Sequence, residues 1–89
     1  MKSVKTAQFN KLFSDLPLEI QSKAKRNYSF WKRNNNHPGL HFKLINSGLA
    51  VYSVRIGLHY RALGAKKDDT MIWFWIGSHE GYNKMVQQM

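Results

Sequence analysis

Arg55 and Arg61 sit on either side of a turn in YSVRIGLHYRALG, a run that reads as two short strands. With the turn centred on Leu58, the two arginines face each other across a hairpin and share one side of it. Like charges directly opposite on a sheet cost roughly 0.2–1 kcal/mol. An anion between them reverses that sign, and planar guanidinium forks match phosphate oxygens in pairs. The same spacing also suits two solvated arginines that splay apart, or a contact with a partner protein. Further on, WFWIGSHEGY takes an apolar run into Gly77, Ser78 and His79. A histidine where a strand leaves a sheet can be held rigidly with its ring accessible, which suits proton transfer near neutral pH. A capping or surface role is the plainer alternative. Tyr82 lies beside His79 if that segment is helical, where it could stack on a base, orient a phosphate, or pack the helix down. In HPGLHFK, His41 and Lys43 fall on one face of a strand, with Phe42 and Leu44 on the other. Lys43 there could meet a phosphate or simply be solvated.

Other chemistries are absent from the sequence. There is no cysteine, which removes disulfides, thiolate nucleophiles and cysteine-type zinc sites together. His37, His41 and His59 lack metal-ligand spacing and a neighbouring carboxylate, so no zinc site is expected. No glycine-rich phosphate loop, Ser-His-Asp set or paired catalytic carboxylates occur. Fourteen Lys and Arg against five Asp and Glu give a formal charge of +9. That balance favours a polyanionic partner, either nucleic acid or an acidic protein. Nine of the fourteen cations precede residue 47, which suits a docking surface better than the chemistry itself.

These side chains must be positioned by one domain over residues 1–89, a length that supports a single modest core. MKSVKTAQFNKLF lacks the apolar run of a signal peptide, and no segment reaches membrane-spanning length. A soluble, cytoplasmic protein, mature from Met1, is therefore expected, with no membrane partner. Residues 2–5 suit an edge strand. Phe9, Leu12, Phe13 and Leu16 mark one face of a helix from about Thr6 to Leu16. A second helix is expected from about Pro17 to Arg33, with Ile20, Ala24, Tyr28 and Trp31 as its apolar stripe. Pro17 fits a first helical turn, and Glu19 complements the positive helix end. Asn34 to Gly39 then stops the helix. The period becomes two, predicting strands at Leu40–Asn46, Val51–Ile56, Tyr60–Leu63 and Met71–Ile76, with a turn at Ser47-Gly48 and a connection over Ala65–Thr70. Connections this short favour an antiparallel meander. The WFWI strand reads as core covered on both faces. A short helix over His79–Met89, capped by Ser78, closes the chain. The fold class is α+β: a two-layer domain with an N-terminal helical hairpin on one face of the sheet and the other face open to a ligand.

In combination, HPGLHFK, YSVRIGLHYRALG and WFWIGSHEGY resemble the RelE/ParE superfamily of toxins from bacterial type II toxin–antitoxin modules. The resemblance spans nearly the whole chain, because the paired helices and the meander occur in the family order. It implies a RelE-like fold, a cognate antitoxin partner and no cofactor. Two activities are implied as alternatives. RelE-, HigB-, YoeB- and YafQ-like members are metal-independent mRNA interferases that cleave mRNA on the ribosome, and ParE-like members poison DNA gyrase. For cleavage, a ribose 2′-OH attacks the adjacent phosphate. The resemblance assigns Arg61 to the developing phosphorane charge, Arg55 to that or a neighbouring phosphate, and His79 to proton transfer at the leaving oxygen or as base. Tyr82 matches a late aromatic of that group, and Lys43, with His41 beside it, would contact the RNA. The chain carries fewer lysines on this sheet than RelE. It also has no evident counterpart of the YoeB glutamate, since Glu80 adjoins His79 and need not face with it.

Overall fold

In the computed structural model, which describes residues 1–89, the chain runs β1 (Lys2–Lys5), α1 (Ala7–Ser14), α2 (Leu18–Arg33), a 3-10 turn (Pro38–Leu40), β2 (Lys43–Asn46), β3 (Val51–Ile56), β4 (Tyr60–Lys67), β5 (Thr70–Ser78) and α3 (His79–Gln87). The expected α+β architecture is what forms. Each helix begins where the local chemistry provides an acceptor. Thr6 caps α1 by accepting from Phe9 N at 3.1 Å, so it lies outside the helix rather than opening it. Pro17 is the residue before α2, not its first turn, and its carbonyl accepts from Ile20 N and Gln21 N. A missing N–H costs nothing there. The α1–α2 corner is closed by the Gln21 amide, which donates to the carbonyls of Ser14 and Leu16.

The five strands lie in the order β1-β5-β4-β3-β2. β2 to β5 form the expected antiparallel meander, and β1 joins the edge parallel to β5, so the sheet is mixed. Several boundaries differ from the sequence reading. Ala65–Thr70 is not a connecting loop. β4 and β5 run on to the Lys67↔Thr70 pair and turn over Asp68-Asp69, with Asp68 left-handed at φ +56°. Consecutive charges in KKDDT hide the two-residue alternation that marks a strand. The β2–β3 turn takes four residues, Ser47–Ala50, because Asn46 Oδ1 accepts from Leu49 N at 2.9 Å and Ala50 turns left-handed. β2 starts only at Lys43, since Pro38–Leu40 makes a 3-10 turn and His41 is left-handed. The final helix stops at Gln87.

The core has two parts. On one face, Phe9, Ile20, Ala24 and Trp31 of the two N-terminal helices pack on Val54, Ile56, Ala62, Met71, Trp73 and Ile76. Trp31 is its centre, 1 % exposed, edge-on to Trp73 at 5.2 Å and to Phe42 at 5.9 Å between ring centroids. Such edge-to-face pairs add about 0.5–1.5 kcal/mol beyond burial. The opposite face is not bare. Val51, Leu63 and Trp75 form a smaller cluster there, covered in part by Tyr82 and Met85 of α3. The expectation of helices on one face alone therefore fails, because α3 is short but amphipathic and folds back over the second face. The expected two-sided burial of the WFWI strand holds, by an unexpected route. Leu63 pairs with Trp75 and Gly64 with Trp73, which leaves Phe74 as an extra residue. A bulge of one residue inverts the side-chain alternation, so the two tryptophans occupy opposite faces instead of sharing one.

Gly64 permits that bulge by close approach: a Cβ on it would lie 2.7 Å from Met71 Sδ and 2.8 Å from Trp73 Cε3. Gly64→Ala should therefore destabilise the fold by about 1–3 kcal/mol through overpacking. Urea unfolding followed by tryptophan fluorescence should show a lower midpoint with an unchanged slope. An unaltered midpoint would mean that the bulge does not depend on this contact.

Candidate functional site

The register of β3, β4 and β5 puts one row of side chains on the face opposite α1 and α2. Arg55 pairs directly with Arg61, as the hairpin reading predicts, and Arg61 pairs with Gly77. Residues directly opposite in an antiparallel ladder point to the same side. Both arginines therefore share the face of Leu63 and Trp75. Lys43 pairs with Ser53, two residues before Arg55, and so belongs to this face too. Phe42 stacks on Tyr52 at 4.9 Å, which agrees with the expected opposite facing of that aromatic. Gly77 carries no side chain because Trp75 lies across it: a Cβ would sit 2.7 Å from Trp75 Cζ2. This close approach lets α3 lie over the sheet immediately after β5.

The start of α3 is fixed twice. Ser78 caps it by accepting from Gly81 N at 3.1 Å, and His79 N donates to His59 O at 2.7 Å. The second bond ties the histidine to the β3–β4 turn that lies between the two arginines in sequence. His79 is exposed, with its ring centroid 5.7 Å from that of Tyr82 at a 40° tilt. Tyr82 in turn lies 6.0 Å from the Arg61 guanidinium. Arg55, Arg61, Tyr82 and His79 thus make a continuous row, and the structure brings together all four of these sequence-predicted residues.

His41 is placed differently from expectation. It lies outside β2, in a left-handed conformation with φ 46° and ψ 44°. Its Nε2 nonetheless comes within 3.3 Å of Arg55 Nη1, so it joins the row from a loop rather than from a strand face. Two contributors escaped the sequence reading. Asn83 Nδ2 is 3.4 Å from His79 Nδ1, a contact foreshadowed by the four-residue spacing on a helix. Asn27 of α2 donates to the Arg55 carbonyl at 2.8 Å, and no local pattern announces a contact between elements so distant in sequence.

Electrostatically the row lacks counter-charge. The Arg61 guanidinium is held below its ordinary pKa, chiefly by burial and secondly by Arg55, with Tyr82 acting in the opposite sense. Arginine stays protonated all the same. Its one hydrogen bond goes to the Tyr60 carbonyl at 2.9 Å. The ion pair in the chain, Lys11–Asp15, is exposed and belongs to α1 and its cap. A site with two opposed guanidiniums, a lysine on the same face and an accessible imidazole can bind a phosphodiester and exchange a proton with it. No group of three His, Cys, Asp or Glu side chains is placed to hold a metal ion.

A family model described as the ParE-like toxin domain matches residues 18–84, about three quarters of the chain. Among solved structures, the RelB–RelE antitoxin–toxin complex from Methanococcus jannaschii aligns with a TM-score of 0.74 at 19 % identity, covering 92 % of this chain and 96 % of that one. The YoeB/ParE toxin from Agrobacterium tumefaciens gives 0.70 at 14 % identity, over 89 % and 99 %. YafQ from E. coli gives 0.65 at 12 % identity, over 91 % and 96 %. At such identities the likeness is one of fold. No curated protein matches the sequence.

The unpaired arginines make a direct prediction about anions. Sulfate at ten times its dissociation constant should stabilise the protein by about 1.4 kcal/mol. In Arg61→Met only the general salting effect should remain. Thermal melts of both proteins, at matched ionic strength with and without sulfate, measure the difference. Equal increments in the two would mean that no anion sits between the arginines.

Proposed function

The chain belongs to the ParE-like toxin domain family and is a toxin of the RelE/ParE superfamily; on that premise we propose that it is a ribosome-dependent mRNA interferase of the cytoplasm, held in check by a cognate antitoxin. The observation that carries this reading is the unbroken row from Arg55 through Arg61 and Tyr82 to His79. It combines charge for a phosphate with a group able to transfer a proton.

The reaction forms a bond from the ribose 2′-oxygen to the adjacent phosphorus and breaks the bond from phosphorus to the 5′-oxygen. The products are a 2′,3′-cyclic phosphate and a free 5′-hydroxyl, so one proton passes from the 2′-oxygen to water and one arrives at the 5′-oxygen. Arg61 and Arg55 stabilise the extra negative charge of the phosphorane, and they do so with forks already facing each other. His79, in its protonated form with both ring nitrogens carrying hydrogen, supplies the Nε2 proton to the leaving oxygen. It is left as the neutral ring, which the Asn83 side chain adjoins. Tyr82 sets the distance between the histidine and Arg61 and offers a ring face to a base. Lys43 lengthens the cationic row along the RNA, and His41 contacts the RNA beside Arg55 as a neutral ring.

The antitoxin reading is supported by the RelB–RelE complex among the structural neighbours and by the net charge of +9, which suits an acidic wrapping partner. The ParE-like description of the matching family favours a second reading, a poison of DNA gyrase that needs no proton transfer.

One assay separates them. In cell-free translation, toeprinting should show cleavage of the message at the ribosomal A site. His79→Ala should lower the rate about 10²–10⁴-fold, and Arg61→Ala about 10²–10³-fold. An intact message together with inhibited supercoiling, undiminished in His79→Ala, would establish the gyrase reading instead.

A further inference from the structure

We propose that His41 is a positioning residue for Arg55, holding that guanidinium in place only while its own ring is neutral. Three observations meet at this side chain. The first is chemical. A guanidinium has donors and no acceptor, so at the 3.3 Å contact between Arg55 Nη1 and His41 Nε2 the imidazole must be the acceptor. The contact is a hydrogen bond only when the ring is neutral with its proton on Nδ1. The second is conformational. His41 holds φ 46° and ψ 44° without being glycine, and an unfavourable backbone of this kind persists only where the surroundings impose it. Here they do. Leu40 before it is 1 % exposed, and Phe42 after it is stacked on Tyr52 and edge-on to Trp31. His37 Nδ1 accepts from Gly39 N and closes the preceding turn. A buried anchor before it and a half-buried, ring-stacked one after it leave the His41 ring as the outward-facing group of the loop. The third is the state of Arg55 itself. Its Nε donates to Gly57 O at 3.0 Å, so the head is tied to the β3–β4 turn on one side and to His41 on the other. Without His41, one tether remains.

The consequence is a dependence on pH with a defined sign. Once the ring takes up a proton, Nε2 ceases to accept and the ring becomes a second cation against Arg55. No neighbouring charge compensates at that contact. The charged and titratable groups on the surrounding elements are Lys43 of β2, Arg61 of β4, His59 of the turn, Lys23 of α2 beside Gly57, and His79 and Glu80 at the start of α3. All but Glu80 are basic. Protonation of His41 therefore releases Arg55 from one of its two holds.

This claim about Arg55 stands on the contact itself, and its effect on cleavage rests on the function proposed above. The test is ¹⁵N relaxation of the Arg55 Nε–H, with the Arg61 Nε–H as internal control, at about pH 8 and about pH 5.5, either side of the imidazole range. The Arg55 head should be ordered at the higher pH and mobile at the lower, with Arg61 unchanged. His41→Gln, which keeps a non-titrating acceptor of similar reach, should leave Arg55 ordered at both. His41→Ala should leave it mobile at both. So should His41→Asn, which favours the left-handed backbone but is too short to reach. Cleavage should fall on the order of tenfold to a hundredfold in His41→Ala and show no further fall when Arg55→Ala is already present. The proposal is overturned if Arg55 is equally ordered in His41→Ala and the parent, or if the loss of order at low pH persists in His41→Gln. Those relaxation results decide it even for a protein that cleaves no message.

Discussion

The bulge at Phe74 governs the geometry of the molecule. Without it, Trp73 and Trp75 would share a face, and one side of β5 would hold both indoles while the other held none. One unpaired residue sends Trp73 toward Trp31 and the helical layer, and Trp75 toward Leu63 and α3. The same offset sets everything downstream on β5. It puts Gly77 opposite Arg61, brings the chain out at Ser78, and starts α3 on the side where the arginines lie. A bulge of this kind changes strand direction and twist as well as register, so the strand that ends it is aimed at the β3–β4 turn. The bond from His79 N to His59 O completes that aim.

Two cores of unequal size then take different parts. The larger one, under α1 and α2, holds most of the buried apolar surface and is the principal source of stability. The smaller one contains only Val51, Leu63 and Trp75 as buried members, and it shares a sheet face with the charged row. A surface that opposes Arg55 to Arg61 and keeps His41 in a left-handed conformation is locally unfavourable. It is tolerated because the meander that carries it is anchored from behind. Asn27 makes such a link, from the helical layer to the Arg55 carbonyl, while Tyr28 ties the same layer to the edge strand β1 through a hydrogen bond with Ser3.

How much of this was legible in the sequence varies by element in a physically sensible way. The β3–β4 hairpin and its arginine pair were legible because alternation and the glycine-bearing turn are local signals. The Ser78 cap and the neighbouring of His79 with Tyr82 followed from helical spacing alone. The extension of β4 and β5 to Asp68-Asp69 was hidden by charge, since Lys66, Lys67 and the two aspartates carry no apolar alternation. The second face of the sheet was misjudged for a deeper reason. A bulge depends on what packs against it, here Met71 and Trp73 around Gly64, and no window of sequence contains that information. His41 shows the same limit. Its residue type was noticed, but the 3-10 turn that takes it off the strand depends on burying Leu40.

The site is more than a list of cations because its members come from different parts of the chain and are held by different forces. Arg55 and Arg61 are fixed by ladder pairing, His79 by a helix cap and a turn carbonyl, and His41 by the packing of Leu40 and Phe42 on its two sides. Independent supports mean that losing one member leaves the others in place, so each can be removed and its contribution measured. The exception is the tie between His41 and Arg55, where one side chain holds another and both act on the same anion. Coupling is expected there and at the His79–Asn83 contact, because these are places where functional groups lean on each other instead of on the fold. Charge alone could attract RNA to almost any face of a domain this basic. What singles out this face is that its cations are opposed, partly desolvated and lined up with a titratable group.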